Sequence, residues 1–184
     1  MQQSRKEFQR YIRQVMSDID QDVLSYDEDE YWMVQSPYEY IEYYAVSNRL
    51  FNTCIALELA RGLHDGTHRK SSLIKEGQSY RLPYLIHPLM VCRMLVNLHI
   101  PLSHEDEDIL LASALCHDMI EDIPFKQQGK ELYEQYHLDK QVYDTVLYVS
   151  KRKDFTEEEE KQFFHEIESH ELALLIKYRI EEIM

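Results

Sequence analysis

The sequence predicts an all-α protein, a bundle of about seven helices. Three observations carry this. Glycine and proline are scarce, 4 and 5 in 184 residues, which disfavours turn-dense sandwiches and barrels. Apolar residues recur at three-and-four spacing through most of the chain, the period of a helix with one buried face. Helix-start signals stand in front of several of those runs, and no strand pattern, repeat or low-complexity segment interrupts them. At this length and with 44% hydrophobic residues one core suffices. The expected organisation is an N-terminal helical extension, 1–45, joined to a domain spanning 46–184 as one compact unit.

Each element has its own warrant. Phe8, Tyr11, Ile12, Val15, Met16, Ile19 and Val23 place an amphipathic helix over 4–24, and the acidic stretch SYDEDEY (25–31) ends it. In SPYE, Ser36 reads as an N-cap, Pro37 as the first helical residue and Glu39 as its capping-box partner. That helix runs through Ile55, Leu59 and Leu63 and stops near Gly62–Gly66. Residues 65–83 show no clean period and carry Arg69, Lys70, Lys75 and Arg81, with His68 beside them, so a loop is expected. Pro88 opens a helix over 88–98, and Pro101 ends the connection that follows. SHED (103–106) is a second capping box, opening a helix over 104–123 that Pro124 closes. Val142, Val146 and Val149 mark a helix at 139–150. TEEE (156–159) caps one at 157–168, its acidic run suited to the positive helix end. Ser169 caps the last, 170–184.

The formal net charge is −14. Nucleic-acid polymers, whose phosphates need basic surfaces, are disfavoured as partners, as are anionic membranes. A small nucleotide is still admitted, because a bound metal and a few local cations reverse the field inside one pocket. Cys54, Cys92 and Cys116 sit in apolar helical contexts without CxxC spacing and read as buried thiols rather than a disulfide set. The start MQQSRKEFQRYIRQ lacks the apolar stretch of a signal peptide. No apolar run reaches the ~18 residues of a membrane span. A soluble, cytoplasmic protein is expected, with homo-oligomerisation left open.

One segment departs from ordinary amphipathic patterning. ALCHDMIEDIPF (114–125) places His117, Asp118, Glu121 and Asp122 among Ala114, Leu115, Met119 and Ile120. Buried charges cost free energy unless paired or bound to a cation. On a helix, His117 shares a face with Glu121 and Asp118 with Asp122, so the four make one polar stripe. An imidazole beside a carboxylate suits a divalent transition metal, and the two later carboxylates could hold or deprotonate a water that such an ion polarises. His87, ahead of Pro88 at a helix start, is a rigidly placed second imidazole. Taken singly, each of these residues has an ordinary structural explanation, as a surface pair, a cap or a solvated helix end.

Together, YLIHPLMVCRML (84–95) and ILLASALCHDMIEDIPF (109–125) resemble the HD-domain family, and within it the hydrolase domain of RelA/SpoT-type (p)ppGpp enzymes. The matching residues are Arg69–Lys70, Pro83–Tyr84, His87–Pro88, His117–Asp118 and Glu121–Asp122, and the resemblance covers roughly residues 50–180. It implies an HD-domain helical bundle. It implies His87, His117 and Asp118 as ligands of one divalent metal, Mn²⁺ being usual in this subfamily. Glu121 and Asp122 would orient and activate the attacking water, and Arg69 and Lys70 would meet the nucleotide or its phosphates. The expected activity is hydrolysis of a small nucleotide, with the 3′-pyrophosphate of (p)ppGpp as the leading substrate.

Two departures accompany the resemblance. The family carries a fourth ligand, an Asp, in a late helix resembling LIKLADRLHN. In ALLIKYRIEEIM (173–184) that position falls on Ile180 or Tyr178, depending on the alignment, with Glu181 one residue away and Asp144 a distant substitute. The segment SSLIKEGQSYR (71–81) is longer than the family pattern and adds Lys75 and Arg81. Two other readings therefore stand beside hydrolysis. One is a degenerate HD module that binds a nucleotide or a partner protein without turnover. The other is a helical interaction protein that uses the aromatics Tyr26, Tyr31, Trp32, Tyr38, Tyr40, Tyr43 and Tyr44 as a contact face.

Overall fold

The computed structural model describes residues 28–64, 66–75, 78–119, 133–150 and 169–183, together with residues 156, 158, 161, 162, 165 and 167. The fold is an all-α bundle. Its delimited helices are α1 (Glu28–Asn48), α2 (Phe51–His64), α3 (Ile86–Leu98), α4 (His104–Cys116), α5 (Lys140–Val149) and α6 (Glu171–Ile183). A hairpin of β1 (His68–Lys75) and β2 (Gln78–Pro83) lies between α2 and α3. The helix expected over 4–24 falls outside the described residues, and of the one expected over 157–168 residues 158, 161, 162, 165 and 167 are described as helical.

The bundle is organised around α4. Every residue from Asp108 to Cys116 is buried, the pattern of a helix surrounded on all sides. It packs against α2, α3, α5 and α6. The second inner helix, α3, lies against α1, α4 and α6. One continuous core results, joining Val34, Ile41 and Ala45 of α1 to Leu57, Leu89, Leu111, Val146 and Ile176 of the other helices. Trp32, Met33 and Tyr43 of α1 face solvent, whereas Tyr38 is buried.

The expected single helix from Ser36 to Leu63 is two helices, and the first begins earlier. Ser36 and Pro37 are interior to α1 rather than its start. Proline at such a place forgoes one backbone hydrogen bond; buried Val34, Pro37, Tyr38 and Ile41 hold the helix through it. The chain then breaks at Arg49, whose φ is 58°. The Leu50 amide donates to the Ala45 carbonyl (2.9 Å) and the Arg49 amide to that of Val46 (3.3 Å). This is a Schellman closure built on an arginine where glycine is usual, so the sequence carried no helix-stop signal there.

Leu50 then occupies the N-cap position of α2, where its side chain can accept nothing. Asp108 of α4 supplies the acceptors instead. Its carboxylate takes hydrogen bonds from the Asn52 amide (2.9 Å), the Thr53 amide (2.8 Å), Asn52 Nδ2 (3.0 Å) and Thr53 Oγ1 (2.8 Å). Nearby, a His104 Nε2–H donates to the Asn48 carbonyl at the end of α1 (2.8 Å). The start of α4 thus closes both helix ends at the α1–α2 corner.

The loop expected over 65–83 is a hairpin for most of its length. Lys75 pairs with Gln78, Ile74 with Ser79, Leu73 with Tyr80 and Ser72 with Arg81, with an irregularity before His68 meets Pro83. β1 does not alternate polar and apolar residues and β2 does so only over Tyr80, Arg81 and Leu82, too short a run to read as a strand. A lone two-stranded hairpin is marginal in water. Here His68 Nε2 donates to Glu30 Oε1 of α1 (2.7 Å), tying the hairpin to that helix, and the Tyr84 amide donates to the Thr67 carbonyl (2.9 Å), closing its two ends on each other.

The remaining boundaries follow local chemistry. Ser103 caps α4 by accepting from the Asp106 amide, and Asp139 caps α5 by accepting from the Gln141 amide. The first turn of α3 begins at Ile86, two residues before Pro88. In α6 it is His170, not Ser169, whose side chain accepts from a first-turn amide, that of Ala173 (3.3 Å). The helix expected over 104–123 ends at Cys116, with His117 and Asp118 in a turn. No helix among the described residues is long and apolar enough to cross a membrane.

Candidate metal centre

The end of α4 explains the orientation of His117. The last carbonyls of a helix have no intrahelical donor. The Ala114 carbonyl is one of them, and His117 Nδ1–H donates to it at 2.7 Å. A carbonyl only accepts, so Nδ1 carries a proton, and in the neutral ring Nε2 then keeps its lone pair. The ring is thereby turned so that Nε2 faces α3, where His87 lies in the first turn, next to Pro88. Ser150, at the end of α5, shares its one hydroxyl proton between the carbonyls of Val146 (2.8 Å) and His117 (2.9 Å) and so lies against the turn from the other side.

His87 Nε2 lies 3.2 Å from His117 Nε2. Asp118 Oδ1 lies 3.1 Å from His117 Nε2, and Asp118 Oδ2 3.8 Å from His87 Nε2. One ligand atom from each of the three residues falls within 4.8 Å of the others. Two ligand atoms about 2.1 Å from a common ion are about 3.0 Å apart at a right angle and about 3.4 Å apart at the tetrahedral angle. The two short separations fall between these values, so the set fits a single divalent ion. The donors fit as well: two imidazoles and a carboxylate suit Mn²⁺, Fe²⁺ or Zn²⁺. The backbone carbonyl behind His117 is the partner that a metal-bound imidazole commonly has. His87 Nδ1 is buried without a hydrogen-bond partner.

The electrostatics favour a neutral imidazole and an ionised carboxylate. Burial pushes the His87 imidazolium down to about 4; His117 adds to this, Asp118 opposes it, and Arg69 and His64 add to it again. Burial alone would raise the Asp118 carboxyl. The hydrogen bond and charge of His117, the charge of His87 and the Tyr84 hydroxyl outweigh it and hold the group well below the usual carboxylate range. Lone pairs are thus available on His87 and Asp118 near neutrality.

Two residues that sequence reasoning assigned no role shape the site. Tyr84 donates its hydroxyl to Asp118 Oδ2 (3.1 Å). Its ring stacks on that of His64, the last residue of α2, with centroids 4.6 Å apart and planes 20° apart. His64 is buried. No sequence signal identifies His64, because only the packing of α2 against the hairpin exit brings it there.

The other expected site residues are placed unequally. Arg69, on β1, is close enough for its charge to act on His87. Lys70 is on the same strand, its side chain outside the described residues. Glu121 and Asp122 lie outside the described residues. Among the described residues the metal-ligating group has three members, and none is from α6. There Tyr178 is exposed and Ile180 half-buried. Asp144, the distant substitute, is paired with Lys140 one turn away on the surface of α5.

No family model matches the chain, and no curated protein and no solved structure is found to match it.

Proposed function

We propose that the chain is a metal-dependent phosphohydrolase of the HD type that acts on a small nucleotide, with the 3′-pyrophosphate of (p)ppGpp as the leading substrate. The observation that supports this is the convergence of His87, from the start of α3, with His117 and Asp118, from the turn that follows α4, with ligand atoms within 4.8 Å. Mn²⁺ is the proposed ion. When bound there, it would neutralise phosphate charge and polarise a water. Glu121 and Asp122 follow His117–Asp118 closely in sequence and would accept the proton of that water. Arg69 and Lys70, on the strand beside the site, would hold the substrate's phosphates. Phosphoryl transfer asks the protein chiefly for such positioning and charge stabilisation.

A second reading is favoured by α6, which offers Tyr178 and Ile180 where the resemblance calls for an aspartate. It is a metal-holding module that binds a nucleotide without turnover. The readings separate in one experiment. Purified protein is assayed for metal and then given ppGpp and a panel of other small nucleotides with added Mn²⁺. About one ion per chain is expected, lost in His117→Ala. Hydrolysis of at least one nucleotide is expected, and a Glu121→Ala, Asp122→Ala double variant should abolish it. Metal without turnover on any nucleotide would favour the second reading, and absence of metal would reject both.

A further inference from the structure

A carboxylate that serves as a metal ligand from a turn has rotational freedom that a helix interior would not allow. Asp118 stands in such a turn, just past the end of α4. Its Oδ1 faces His117 Nε2 at 3.1 Å, while its Oδ2 accepts the Tyr84 hydroxyl at 3.1 Å. The two oxygens are thereby made inequivalent: Oδ1 is set against His117, while Oδ2 takes the phenol and lies 3.8 Å from His87 Nε2.

Tyr84 is itself held at several points. Its amide donates to the Thr67 carbonyl (2.9 Å). Its carbonyl accepts the amide of His87 (3.1 Å), so the residue that orients Asp118 also sets the first turn of the helix that carries His87. Its ring lies on that of His64, and the Thr67 hydroxyl and amide close the end of α2 by donating to the His64 carbonyl (2.7 and 3.1 Å).

We infer that Tyr84, clamped by the ring of His64, is a positioning residue for divalent-cation binding, holding the Asp118 carboxylate in the orientation that sets Oδ1 against His117 Nε2. This rests on the metal-binding reading above. Partners of this kind behind a ligand commonly govern affinity by ten- to a hundredfold.

The test is titration of the full chain with Mn²⁺, followed by calorimetry and by the electron paramagnetic resonance of the free ion. Tyr84→Phe keeps the stacked ring and removes only the hydroxyl. Its dissociation constant is expected to rise about tenfold or more, with the metal-free melting midpoint unchanged. His64→Ala removes the clamp and should weaken binding in the same way, whereas His64→Phe retains a stacking ring and should restore affinity. This second pair carries the comparison if Tyr84→Phe does not fold. Wild-type protein that binds Mn²⁺ while Tyr84→Phe binds it equally well would overturn this inference and leave the metal centre standing. A lower melting midpoint with unchanged affinity would mark Tyr84 as structural only and would also overturn it. Wild-type protein that binds no Mn²⁺ would remove the metal reading, and the inference with it.

Discussion

Asp108 illustrates how one buried charge can be stabilising. A carboxylate inside a helical core is costly unless its oxygens are fully engaged. Here four donors from Asn52 and Thr53 converge on it, doing for α2 what Leu50 cannot do at its own cap position. Hydrogen bonds to a charged group contribute more than neutral ones, and orphaned donors are penalised in turn. Asp108→Ala should therefore destabilise the fold by about 3 kcal/mol in urea denaturation, with Asp108→Asn falling between. A loss below about 0.5 kcal/mol, the range of ordinary surface changes, would show that water replaces the carboxylate there. The cysteines are the apolar counterpart. Burial pushes the thiol of Cys116 up to about 12 and those of Cys54 and Cys92 further still. All three are buried and free. At pH 8 the native protein should react negligibly with a thiol-specific reagent, and all three should react after denaturation. Rapid native labelling of any one would contradict the burial described.

Among the elements, those announced by short-range chemistry were legible. Ser103 caps as expected, and Asp139 caps a helix that the valine spacing had announced, because a cap needs only its own next turn. The α1–α2 break was not legible. Its signal would ordinarily be a glycine, and the chain uses Arg49 at φ 58°. A non-glycine residue in that conformation is strained by roughly 1 kcal/mol, so Arg49→Gly should raise thermal stability slightly, by about 0.5–1 kcal/mol. A fall in stability would mean that the arginine side chain contributes more than its backbone strain costs. The hairpin was missed because its pairing is set by partners and by the contact with α1, not by an alternating pattern. The same distinction runs through the candidate site. His87, His117 and Asp118 stand in short motifs and could be named from sequence. That α4 stops at Cys116, that Ser150 lies against the turn and that His64 backs Tyr84 are consequences of packing between segments far apart in the chain.

At the scale of the whole molecule, the all-α class followed from composition and period, whereas the arrangement of helices around α4 did not. A helix buried on every side shows no preferred face in its sequence, so ILLASALC revealed that α4 is inside but not which neighbours surround it. The position of α3 carries a consequence for assembly. Its flanks are walled by α1, from the beginning of the described chain, and by α6, from its end. During synthesis the imidazole-bearing segment therefore emerges with one wall already made and the other still untranslated. That second wall is added only once α6 has followed, so the surroundings of α3 mature after the ligands themselves have emerged.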